Sequence, residues 1–145
     1  MFRPNFKVLK TFRLGMSFAN QELRDIDISS GLVYFIIELS QTDSMRMSDL
    51  SAAVGVDNAY GTRAVEKLSV LGYVQKIQDD RDRRAYRISL TDSGRKIAIR
   101  VSETMLNWVG IITEGVSAED LSVVNRVFDR FYNNALAGVE NRRKP

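Results

Sequence analysis

Four arginines, Arg81, Arg83, Arg84 and Arg87, crowd into seven residues of a chain that contains no histidine and no cysteine. A guanidinium stays charged at every physiological pH, and its planar fork grips a phosphate or the edge of a guanine. Without His or Cys there is no material for a His-based triad, a conventional zinc site, a disulfide framework or a thiol switch. Carboxylate, hydroxyl, Lys and Arg chemistry remains. No catalytic residue, metal or cofactor is expected, and the chain reads as a binding protein instead of an enzyme.

A second concentration of recognition chemistry lies at Asn58, Ala59, Tyr60, Thr62, Arg63 and Lys67. Asn reads adenine, Arg reads guanine or holds a phosphate, and Ala or an aromatic ring touches a thymine methyl. These types serve duplex DNA only if one helix carries them into a groove.

The flanking residues supply such a helix. Ser48 opens a short helix through Val54 that Gly55 ends, and Asp57 can cap a second one running to about Gly72. Two helices joined by a tight Gly-containing turn have the form of a helix-turn-helix. Wound at about 100° per residue, residues 57–72 put Gly61, Ala64, Val65, Leu68 and Gly72 on one inward stripe. The opposite side carries Ala59, Arg63, Glu66 and Val70, flanked by Tyr60, Thr62 and Lys67. Gly61 weakens the helix by about 1 kcal/mol relative to Ala. Either a larger neighbour fills the space beside it or the helix yields there.

Beyond Gly72, Tyr73–Ile77 and Ala85–Leu90 read as short strands around the charged tip Gln78–Arg84, forming a hairpin. Thr91 then caps a long helix with an inward stripe of Ile97, Val101, Met105, Trp108 and Ile112. Gly115 ends it, and Ser117 with Asp120 forms a capping box opening a last helix. That helix places Leu121, Val124, Phe128, Phe131 or Tyr132, and Ala135 on one side, with fraying expected after Gly138. Upstream, Phe2, Phe6, Leu9, Phe12 or Arg13, and Met16 recur at helical spacing. Ser29 or Asp27 could cap the next helix, which buries Leu32, Phe35, Ile36 and Leu39. The expected class is mainly α with a small β-hairpin wing.

Net charge is only +3, so its distribution matters more than its sum. Residues 1–21 carry Arg3, Lys7, Lys10 and Arg13 without an acid, and the tail carries Arg142, Arg143 and Lys144. No apolar run approaches the ~20 residues of a membrane span, and a cytoplasmic protein without membrane association is expected.

The series Met47-Ser-Asp-Leu-Ser-Ala-Ala-Val-Gly-Val-Asp57, Thr62-Arg63, Leu71-Gly-Tyr-Val74, Asp82-Arg-Arg84 and Leu90-Thr-Asp-Ser-Gly94 resembles the MarR family of bacterial and archaeal regulators. The resemblance runs at motif level from about Leu32 to Arg100, and the flanking helices match in length and placement. It implies a winged helix-turn-helix lobe over residues 29–94 within a single domain of 145 residues. It also implies a homodimer built from residues 1–28 and 95–145, binding a pseudo-palindromic operator as a transcription regulator, typically a repressor relieved by a ligand. Carried over to the wing, it makes Arg84 the side chain entering the minor groove and Asp82 the carboxylate orienting it, with Arg81, Arg83 and Arg87 on phosphates. Small aromatic or anionic effectors would then bind near Met16, Tyr34, Phe35 and Trp108, although each also fits an ordinary core stripe. An aliphatic residue is usual in the family where Gly61 stands.

Two other readings compete. The wing could be a surface turn in which Asp79, Asp80 and Asp82 cancel the arginines. The fold could also serve as a protein-interaction module without specific DNA binding.

Overall fold

The computed structural model describes residues 7–82 and 85–143, which fall into two compact units divided between Trp108 and Val109. In the first unit, α1 (Lys7–Glu22) leads through a 3-10 turn, Arg24–Ile26, to α2 (Ser30–Ser40). Then come β1 (Met45–Arg46), α3 (Met47–Val54), α4 (Asn58–Val70), β2 (Val74–Gln78) and β3 (Tyr86–Leu90). Helix α5 (Asp92–Thr113) follows, and α6 (Ala118–Arg143) lies in the second unit. The chain is mainly helical with a small antiparallel sheet.

Helix α2 is the centre of the first unit because its apolar residues go round most of its circumference: Leu32, Val33, Phe35, Ile36 and Leu39 are all buried. They pack with Leu50 of α3, Ala64, Val65 and Leu68 of α4, Val74, Ile88 and Leu90 of the sheet, and Ala98 and Val101 of α5. The start of α2 is secured from outside. Ser29 occupies the cap position, yet its side chain makes no capping bond, and Asp27 instead takes a left-handed conformation at φ 56°. The backbone N–H of Ser30 donates to Asn20 Oδ1 at 2.6 Å, so a side chain of α1 satisfies one of the orphan donors of α2.

The sheet has the order β1-β3-β2, which adds a strand to the expected hairpin. Met45 pairs with Ile88 and Arg46 with Arg87, while β2 and β3 pair from Val74 with Leu90 to Gln78 with Tyr86. Thr91 anchors the hairpin to α5: its hydroxyl donates to Gly72 O at 2.6 Å and accepts from Gly94 N at 2.9 Å. A Cβ on Gly94 would collide with the carbonyl oxygen of Tyr73, so the Leu-Thr-x-x-Gly spacing lets the hairpin base pass against the first turn of α5.

The buried stripe of α5 in this unit is Gly94, Ala98, Val101 and Thr104, with Ile97 and Met105 half-buried. It is rotated from the expected stripe towards smaller residues, and Ile112 is exposed. Close packing at Gly94 selects small neighbours. In the second unit, Asp120 N donates to Ser117 Oγ at 3.1 Å, and that hydroxyl donates to the Asp120 carboxylate at 2.8 Å. Gly138 does not interrupt α6, which continues to Arg143.

Candidate nucleic-acid interface

Gly55, at φ 80°, ends α3 in the left-handed conformation that glycine adopts without penalty. Two residues later, Asp57 accepts the Tyr60 N–H at 2.7 Å and fixes the first turn of α4. As the spacing predicts, Gly61, Ala64, Val65 and Leu68 are buried, and Asn58, Ala59, Tyr60, Arg63 and Lys67 are exposed, whereas Gly72, also expected on the inward stripe, lies beyond the helix end at Val70 and is exposed. Thr62 is half-buried, its hydroxyl donating to Asn58 O at 2.8 Å. Asn58, Ala59 and Arg63 are thus presented at the beginning of an exposed helix, the part that reaches base edges in helix-turn-helix proteins.

Tyr60 is more constrained than its neighbours. Its ring lies against Phe35 at a centroid distance of 6.4 Å and an interplanar angle of 27°, and the Arg63 guanidinium stands 5.9 Å from its centroid.

The space beside Gly61 is filled. A Cβ there would collide with Ser51 Oγ and stand 3.2 Å from Ser51 Cβ, so α3 and α4 meet through the smallest possible residue. Ser51 is wholly buried, and among the described residues its hydroxyl has no hydrogen-bond partner.

The base of the wing is organised by Asp79, which is 3 % exposed. One carboxylate oxygen accepts the N–H groups of Arg81 at 2.9 Å and Asp82 at 3.3 Å. The other meets Arg46 Nε at 3.0 Å and Arg87 Nη1 at 3.6 Å. These interactions hold the Asp79 carboxyl below its ordinary pKa of 3.8, led by the Arg81 N–H and opposed by burial, with Arg46 adding to the depression. Arg87 also donates through Nε to Ser44 Oγ and through Nη2 to Ser44 O, both at 2.7 Å. It therefore braces the sheet as well as contributing charge. Arg46, Asp79, Asp80, Arg81 and Arg87 line an open recess of about 550 Å3, where three guanidiniums face two carboxylates. Arg83 and Arg84 lie outside the described residues, and Asp82 is exposed beside them.

Sequence reasoning missed Arg46 and the part played by Asp79. Their pairing crosses 33 positions of sequence, and no local pattern marks it.

Three of the four expected effector residues, Met16, Tyr34 and Trp108, line one apolar cavity with Phe12, Gly15 and Met105, while Phe35 is fully buried. The cavity measures about 70 Å3, about half the ~150 Å3 of an engineered cavity that admits benzene. Trp108 packs on Phe18 at 5.6 Å, and a Cβ on Gly15 would stand only 2.7 Å from its Nε1. Phe35 thus belongs to the core, Met16 and Trp108 are half-buried, and Tyr34 is exposed. A wider groove of about 710 Å3 lies elsewhere in the same unit, lined by residues including Leu39, Gln41, Arg95, Ile99, Glu103 and Leu106.

A family model described as the MarR family matches residues 34–86. The HTH-type transcriptional regulator BilQ of Clostridioides difficile (strain CD3) is 27% identical over 99 residues, covering 68% of this chain and 65% of that protein. BilQ of Clostridium symbiosum (strain WAL-14163) is 29% identical over 103 residues, 71% of this chain and 72% of that protein. Among solved structures, the transcriptional regulator SlyA superposes with a TM-score of 0.90 at 16% identity, covering 94% of this chain and 96% of SlyA. A MarR transcriptional regulator from Methanosarcina mazei Go1 gives 0.83 at 24% identity, covering 90% of this chain and 94% of that one. These structural likenesses establish the winged-helix fold.

Proposed function

We propose that the chain is a member of the MarR family and a sequence-specific, duplex-DNA-binding transcription regulator. The observation that carries the reading is the pairing of an exposed, Asp57-capped helix bearing Asn58, Ala59 and Arg63 with a wing whose base gathers Arg46, Arg81 and Arg87 around Asp79. The helix suits a major groove. The wing suits the backbone and adjoining minor groove. Asp79 makes the wing more than a charge-cancelling turn, because its carboxylate is spent on folding the hairpin.

The active form in this reading is a homodimer in the cytoplasm. It is supported by the apolar side chains that each unit exposes: Val8, Leu9, Phe12 and Leu14 on α1, and Phe128, Phe131 and Tyr132 on α6. A two-fold dimer presents two recognition helices to successive major-groove faces about 34–36 Å apart, hence to a pseudo-palindrome. Repression relieved by a small aromatic or anionic effector completes the proposal. At about 70 Å3 the cavity beside Trp108 must open before it admits an aromatic ring, so effector binding there requires movement of its lining side chains or of the helices that carry them, α1, α2 and α5.

Selection of bound sequences from a random duplex pool tests the proposal. Enrichment of an inverted repeat with half-sites one helical turn apart is expected. A pool that stays random after repeated rounds would leave the protein-interaction reading in its place.

A further inference from the structure

We infer that Tyr60 is a positioning residue for Arg63 and not itself a reader of bases. The inference rests on the DNA-binding reading above and deepens it. Three neighbours define the Tyr60 side chain. Its ring lies against the wholly buried Phe35, so the inner edge of α4 is tied to the centre of the core. Its hydroxyl abuts the first turn of α2, where a Cβ on Gly31 would stand 2.6 Å from the oxygen but 3.9 Å from Cζ. The Arg63 guanidinium stands over the ring, three residues on and on the same helix face.

Arg63 is exposed, and no carboxylate lies within salt-bridge distance of it among the described residues. Among the described residues the Tyr60 ring is therefore the group that its guanidinium stands against. A guanidinium held over an aromatic face keeps its five donors free at its rim, and it loses less rotational freedom when it meets the two acceptors of a guanine. Contact with Phe35, Gly31 and Arg63 leaves the Tyr60 ring little freedom to reach out to a thymine methyl.

Gly31 provides an internal control. Alanine there collides with the Tyr60 hydroxyl and displaces the ring, yet it would make an ordinary van der Waals contact with the Cζ of phenylalanine. Gly31→Ala should therefore disturb Arg63, and Tyr60→Phe should cancel that disturbance.

The test compares full-length wild type, Tyr60→Phe, Tyr60→Leu, Gly31→Ala and the double variant Gly31→Ala/Tyr60→Phe. Two readouts are used: the ring-current shift of the Arg63 side-chain protons without DNA, and base preference in selection from a random duplex pool. Tyr60→Leu should abolish the shift and lower preference at one base pair per half-site by about two- to fivefold, the worth of a partly exposed cation–π contact. Tyr60→Phe should keep both, Gly31→Ala should reduce both, and the double variant should restore them. An Arg63 shift indifferent to Tyr60→Leu would overturn the inference whether or not DNA is bound. So would a preference that Tyr60→Phe alone removes, which would make the hydroxyl a direct contact. Absence of sequence preference in the wild type would instead reject the DNA-binding reading, and the shift measurements would still decide whether Tyr60 holds Arg63.

Discussion

Replacing Gly61 by alanine sets two opposing effects against each other at the α3–α4 contact. Alanine improves helix propensity by about 1 kcal/mol. The new methyl, however, collides with Ser51 Oγ and stands 3.2 Å from Ser51 Cβ, and overpacking of that kind costs about 1–3 kcal/mol. The net expectation is a loss of up to about 2 kcal/mol, or about 2–4 °C in Tm per kcal/mol for a chain of this length. Ser51→Ala should act in the opposite direction: it removes a buried hydroxyl without a partner, whose desolvation costs about 1–3 kcal/mol, and leaves a better helix former. Because Ser51 Oγ is the atom in the way, the double variant Ser51→Ala/Gly61→Ala should be more stable than the sum of the single changes by about 1–2 kcal/mol. Thermal unfolding followed by circular dichroism at one protein concentration gives all four corners of the cycle. A Gly61→Ala protein that melts higher than wild type, or a cycle without coupling, would show that α3 and α4 are not in close contact there.

Other perturbations reach the remaining parts of the structure. Asn20→Ala leaves the Ser30 N–H without its acceptor and should destabilise the protein by about 1 kcal/mol, read as a lowered unfolding midpoint without a change in the fold. The Asp79 carboxyl has a depressed pKa in the folded state, so its stabilisation of the wing is complete above the ordinary carboxylate value of 3.8 and is lost as pH falls through the lower folded value. Protection of the Arg81 amide, taken as exchange relative to its intrinsic rate at each pH, should fall in that acidic window, whereas in Asp79→Asn it should show no such transition. Arg46→Ala should flatten the plot of log affinity against log salt by up to about 0.9 per phosphate contact removed, with selected and random duplexes weakened alike. An unchanged slope would confine Arg46 to bracing Asp79. Deleting residues 1–25 should give a species that aggregates or binds poorly; a well-behaved monomer with full operator affinity would refute the dimer.

Periodic and capping signals made most of this fold legible. The inward stripe Gly61, Ala64, Val65 and Leu68, the Asp57 and Thr91 caps, and the stops at Gly55 and Gly115 all lie within a few residues of what they act on. Features that depend on distant partners were not legible. Strand β1 is two residues long and exists because Ile88 and Arg87 of β3 pair with it. Asn20 caps a helix ten residues away in sequence. Asp79 among arginines looks like charge cancellation until Arg46 is brought beside it. On α5 the expected Val101 is buried and Ile97 and Met105 pack against the core, but Gly94 and Ala98, which close approach to the hairpin favours, were not expected on the buried stripe, and Ile112 is exposed. At the interface, the sequence named exposed residues of α4 correctly by face, but it could not distinguish Tyr60, packed on Phe35, from its freer neighbours.

The central claim, specific recognition of duplex DNA, is tested most directly by titrating the full-length protein with a selected duplex and with a scrambled duplex of identical composition. Both titrations are run at one physiological salt concentration. The selected duplex should bind at least about a thousandfold more tightly. Equal affinity for the two would contradict the account.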